Sequence, residues 1–203
     1  MAVLRCLFAT LVLLAATLVA ADPVFLSDSD LYFQYRPVQG GAGMCGFQIR
    51  GNHRSGRTPR SEWDINIDEL VAGGTRIAGI SAGAFEVTSN DRKIARKPRA
   101  PISALSFALP GDNQPIVATI VGAPNEANAV RAMMEAEPAL RLFIALRSGR
   151  LITISLTYQD GTGDVLQIRG MSDMRKFGGG QNNYFDECLR GLAPFSNIKQ
   201  VVP

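Results

Sequence analysis

Between residues 62 and 70 the chain alternates: Trp63, Ile65 and Ile67 fall on one face, and Asp64, Asn66 and Asp68 on the other. A period of two is the mark of a half-buried strand. Shorter apolar runs at residues 45–50, 75–87, 102–109, 115–121, 151–158 and 164–169 predict further strands, the run at 75–87 one or two of them. Turn signals separate them: Gly73-Gly74, Pro110-Gly111-Asp112-Asn113 and Asp160-Gly161-Thr162-Gly163. Residues 124–137, rich in Ala and Met, predict a helix with Pro124 at its start and Pro138 just past its end. Residues 140–146 then predict a strand, and Asn182 or Asn183 caps a final helix to about Gly191. Frequent turns and adjoining strands predict antiparallel pairing. The fold class is α+β: mainly an antiparallel β-sandwich or open barrel, with one middle helix and one C-terminal helix. Trp63, Ile65, Ile67, Phe107, Leu109, Ile116, Val117, Ile120, Leu142, Ile144, Ile152, Ile154, Leu156, Leu166 and Ile168 are the expected core.

The opening residues change the compartment expected. Arg5 precedes an apolar run that closes in Val19-Ala20-Ala21 before Asp22-Pro23. Charge, apolar stretch and small residues in that order predict a secretion signal over residues 1–21, cleaved after Ala20 or Ala21. A loose lead over 22–44 and one domain over 45–203 complete the expected organisation, and no membrane span is expected after cleavage. The expected location is the periplasm or the secreted fraction. Cys6 leaves with the signal, so Cys45 and Cys188 remain. An even pair in an oxidising compartment predicts a disulfide between them. It closes a long loop and contributes on the order of 4–5 kcal/mol on the chain-entropy model.

The net charge of +3 does not call for nucleic acid. Its distribution is uneven. Arg50, His53, Arg54, Arg57 and Arg60 form one basic stretch, and Arg92, Lys93, Arg96, Lys97 and Arg99 another. Gly, Pro, Ser and Asn around both predict solvated loops, the alternative being contact with an anionic surface.

Gly79-Ile80-Ser81-Ala82-Gly83 fits the G-x-S-x-G pattern of a nucleophile elbow. With Ala84 it resembles the serine motif of patatin-like lipases. That resemblance implies Ser81 as nucleophile, Asp160 of Asp160-Gly161 as base, and the glycines at 40–43 as an oxyanion loop. An elbow needs a strand running into a helix, whereas Phe85-Glu86-Val87-Thr88 continues as strand. His53, the one histidine, precedes Ser81 and lies among arginines, which does not suit a triad. With so few Cys and His no zinc set is expected. Asp160–Asp164 lacks the later ligands of a calcium loop, and a tight turn explains its glycines. Gly178-Gly179-Gly180 lacks the Lys-Ser/Thr of a P-loop. Met133 and Met134 are expected in the core, on the middle helix. No catalytic, cofactor or metal residue is assigned.

The second half has a recognisable order. A helix precedes residues 140–146, then Gly149-Arg150-Leu151-Ile152-Thr153-Ile154, a turn, Val165-Leu166-Gln167-Ile168-Arg169-Gly170, and a last helix bearing Cys188. Over residues 102–190 this resembles the invasion-associated locus B family of small secreted bacterial β-rich proteins. Gly178–Asn183 reads as an insertion before the last helix, and the basic stretches have no counterpart there. The resemblance implies a non-enzymatic extracytoplasmic role linked to host interaction or envelope stress; the expected partner is an unknown protein or an envelope component. The alternatives are a serine hydrolase at Ser81 and an inhibitor of a secreted hydrolase.

One outcome follows from the cysteine count. Alkylation of the exported protein without reduction is expected to leave Cys45 and Cys188 unmodified, and mass spectrometry reads this directly.

Overall fold

The computed structural model describes residues 22–26, 31–37, 43–53, 59–72, 75–90 and 93–170. Among the described residues eleven strands form one sheet. They are β1 (Val24–Leu26), β2 (Leu31–Pro37), β3 (Gly43–His53), β4 (Arg60–Ala72), β5 (Thr75–Asn90), β6 (Lys93–Pro98), β7 (Ile102–Ala108), β8 (Ile116–Val121), β9 (Val130–Glu135), β10 (Leu151–Tyr158) and β11 (Gly163–Arg169). One helix among the described residues, α1 (Ala136–Arg147), joins β9 to β10. The spatial order is β1-β11-β10-β7-β8-β9-β5-β4-β3-β2, with β6 paired to β5 beside this path. Pairing is antiparallel as expected, apart from β1, which lies parallel to β11.

The sheet curls into a nearly closed barrel. Its corner is β8, whose first half pairs with β7 (Leu105↔Ala118) and whose second half pairs with β9 (Thr119↔Met133). Its two ends meet where β1 approaches β3. Gly51 permits this approach, because a Cβ there would lie 2.6 Å from Leu26 Cδ2. β5 is the longest strand, at 16 residues. One edge of it pairs with β4, and the other with β9 along 77–82 and then β6 along 85–90.

The segment expected as a loose lead contains β1 and β2. The middle of the chain departs further from expectation. Residues 130–135 are strand β9, and the helix covers 136–147, including the run expected as a strand. Two physical reasons apply. Val130, Ala132 and Met134 are buried while Arg131, Met133 and Glu135 are exposed, an alternation of two that outweighs helix propensity. Ala139, Leu142, Phe143 and Leu146 are buried at the i, i+3, i+4, i+7 spacing of a helix face. Pro138 stands in the first turn, where its missing N–H costs nothing. The helix ends at Ser148, whose N–H and hydroxyl both donate to the Ile144 carbonyl. Gly149 follows with φ 70°, the left-handed turn that glycine adopts without strain.

α1 packs on β5, β9 and β10. Inward-facing Ala78, Ala82 and Ala132 leave room for it, and the Phe143 and Phe47 rings lie 5.5 Å apart. Most of the expected core is buried, from Trp63 and Ile65 to Leu166 and Ile168. Three residues differ. Val117 is 66% exposed and Ile144 46%, each on the outward face of its element, and Ile120 is only partly buried. The segment expected as a C-terminal helix, with Cys188, lies outside the described residues. Cys45 belongs to β3.

Phe143→Ala is expected to cost about 3–5 kcal/mol, as truncation of a buried aromatic leaves a cavity. Ile144→Ser, one residue along on the outward face, is expected to stay within about 0.5 kcal/mol. Urea unfolding of both variants checks the helix register.

Candidate functional surface

Ser81 sits in the middle of β5, between Asn66 of β4 and Arg131 of β9. Ile80 and Ala82 face the core, so Ser81 points outward and is exposed. A mid-strand serine lacks the strand-to-helix turn that an elbow requires. Asp160 lies in the turn between β10 and β11. Its Oδ1 accepts hydrogen bonds from the Thr162 N–H (2.9 Å) and hydroxyl (2.6 Å). These bonds hold its carboxyl below the usual carboxylate range. Gly161 has φ 83°, so the Asp-Gly pair does the work of a turn. Ser81 on β5 and Asp160 in the β10–β11 turn therefore stand apart, with β7, β8 and β9 lying between β10 and β5 in the sheet. His53 ends β3 and is exposed. The methionines fall on a strand: Met134 is buried and Met133 is 37% exposed. Cys188 and the glycines at 178–180 lie outside the described residues.

The structure gathers a polar cluster that the sequence reading does not include. Asp164 Oδ2 accepts three hydrogen bonds, from Trp63 Nε1 (2.7 Å), the Tyr158 hydroxyl (2.6 Å) and an Arg99 guanidinium nitrogen (2.5 Å). The Arg99 guanidinium also lies 4.3 Å from the Tyr158 ring centroid. Trp63 begins the inward face of β4, Arg99 follows β6, Tyr158 ends β10 and Asp164 begins β11. All four close the barrel end opposite α1: Trp63 pairs with Gly51, four residues along β3 from the Phe47 that meets the helix. Trp63 and Tyr158 are each 1% exposed. Burial, then the Asp164 charge, pushes the Tyr158 phenol far above its usual range. The three donors converge on one carboxylate oxygen and tie four segments of the chain together, so the cluster is a clamp. Its sequence signal is faint, as Trp63 and Asp164 are 101 positions apart.

What the molecule turns outward is different. Where they are described, the basic stretches expected as loops are mostly strand: Arg50 and His53 end β3, Arg60 starts β4, and residues 93–98 are β6, while Arg54, Arg57 and Arg92 lie outside the described residues. The reason is edge pairing. β5 outruns β9 and offers backbone groups that β6 takes up, from Phe85↔Pro98 to Asn90↔Lys93. Arg96 anchors this arm. Its guanidinium lies 3.4 Å from the Phe85 ring centroid and 2.7 Å from Glu62 Oε1. Phe85 and Val87 are thereby buried on the outer side of the sheet, apart from the main core. Beyond them Thr88, Ser89, Ile94 and Ala95 are all exposed, Ile94 to 72%. Farther along the same outer face, Asp64 accepts hydrogen bonds from Gln48 (2.9 Å) and Asn66 (3.2 Å) and lies 3.7 Å from Arg50.

Asp164→Ala is expected to destabilise by about 3–5 kcal/mol, since it strands Arg99 and two buried donors. Tyr158 adds a pH signature. Its folded phenol holds its proton above the ordinary pKa of about 10, so its contribution is full below that pH and falls as pH rises. Melting temperatures above pH 10 should therefore decline less steeply in Tyr158→Phe than in the parent.

No family model, curated protein or solved structure matches the chain.

Proposed function

We propose that this chain is a non-catalytic binding protein of the periplasm or secreted fraction, and that the β5–β6 arm is its contact element. One observation carries the reading. The arm leaves Ile94 72% exposed beside exposed Arg96 and Lys97, whereas the strongest polar cluster of the described residues is closed on itself. An aliphatic side chain so placed gains nothing in the free protein and gains burial on contact with a partner. The export-signal pattern and the resemblance to the invasion-associated locus B family support an envelope component as that partner. The outward, mid-strand Ser81 speaks against the hydrolase alternative.

Two measurements test this. A fluorophosphonate probe is expected to leave the protein unlabelled, and labelling that disappears in Ser81→Ala would overturn the reading. Pull-down from envelope extract is expected to recover a partner with the parent protein and to lose it with Ile94→Asp. Capture of a secreted hydrolase, with loss of its activity, would replace the reading by the inhibitor alternative.

A further inference from the structure

β7, β8 and β10 contain no Asp, Glu, Lys or Arg, although 19% of the chain is charged. Alternate side chains of these strands face outward, so their outer face carries no charge either. Strand register lays the outward positions in rows. Val165, Ser155, Ser106 and Val117 form one row over β11, β10, β7 and β8. Phe25, Gln167, Thr153 and Ala108 form the next, which begins on β1. Arg169, at the end of β11, bounds this face. The outer face of the other half is unlike it, for Arg50, Glu62, Asp64 and Arg131 stand there.

The solvated face of an antiparallel sheet ordinarily carries charge, which keeps it in water and apart from other faces. Loss of charge together with exposed aromatic and aliphatic side chains is the composition of a contact surface. Two large hydrophobics stand at the margins of this face, Phe25 at 72% exposure and Val117 at 66%. Ser155 and Ser106 lie between them. Bulk at the margins and small side chains in the middle offset the outward bow of a curled sheet. Among the described residues, the elements that pack on these strands are their sheet neighbours and α1, whose buried side chains lie on the core side.

We infer that this face pairs with its own copy, sheet on sheet, in a two-fold dimer. An uncharged face meets its copy without repulsion, whereas a charged partner surface would lose hydration here and find no counter-ion. A two-fold axis along the strands lays Val117 of one protomer against Val165 of its partner and Ser106 against Ser155, with the strands of the two sheets aligned. The face extends about 19 Å across five strands and about 20 Å along them, so two copies bury on the order of 1,000 Å², the lower bound of a specific interface. Such a dimer dissociates on dilution. β5 and β6 lie beyond β8 and β9 in the sheet, so the dimer leaves the arm free.

Sedimentation velocity of the exported, full-length mature protein over a dilution series tests it. We expect dimer at the concentrated end and monomer at the dilute end. Ser155→Arg places an unpaired guanidinium at the centre of the contact in both protomers and should weaken dimerisation at least about a hundredfold. Val117→Lys, at a side chain that is exposed in the single chain, should weaken it about tenfold and serves if Ser155→Arg does not fold. Ile94→Asp, on the arm, should dimerise like the parent. Thermal melts of dilute samples show whether each variant folds. A parent that stays monomeric throughout the series overturns the inference. So does a dimer that the folded variants form as readily as the parent, or one that only Ile94→Asp weakens, since either puts the contact elsewhere. If the parent is monomeric and Val117→Lys lowers its melting temperature, a segment of the same chain covers the face, which also overturns the inference.

Discussion

One carboxylate oxygen joins the two halves of the barrel. Asp164 Oδ2 draws donors from β4, from the connection after β6, and from β10, while Asp164 itself belongs to β11. β4 lies in one half of the sheet, and β10 and β11 in the other. Backbone hydrogen bonds hold strands to their neighbours, but they do not fix the width of a barrel end. Here the width is set by the reach of an indole, a phenol and a guanidinium to one acceptor. In a low-dielectric interior each of these bonds is strong, and each orphaned donor is costly. The barrel end therefore closes in one way.

The other end is closed by shape. α1 brings an apolar stripe to β5, β9 and β10, and small inward side chains such as Ala78 and Ala132 make space for it. A helix at one end and a polar clamp at the other leave the middle to Ile, Leu and Phe side chains. Both ends are thus committed to stability. What remains for recognition is the outside of the sheet, and there the β5–β6 arm is the element that extends past its neighbours.

Charge follows the same division. On the outer face Asp64 is met by Gln48, Asn66 and Arg50, and Glu62 by Arg96. Arg96 serves twice, covering Phe85 and neutralising Glu62, so it fastens the base of the arm.

The sequence alone determined the period of two in Trp63, Ile65 and Ile67, the turns at 110–113 and 160–163, and the apolar strands 151–158 and 164–169, because these signals are local. It also held the helix stripe of Ala139, Leu142, Phe143 and Leu146, masked by Pro138, whose place in a first turn is visible only once the helix is seen to begin at Ala136. The strand over 130–135 was hidden for a different reason: Ala and Met favour helices, and sheet pairing with β5 and β8 overrides so weak a preference. The candidate chemistry at Ser81 was a matter of spelling, undone by the strand on which the motif lies. Only the tertiary structure decided the Asp164 clamp and the register that sets Arg60 and Arg96 on either side of Val87. Both depend on strand order and register, which bring together residues that no local pattern relates.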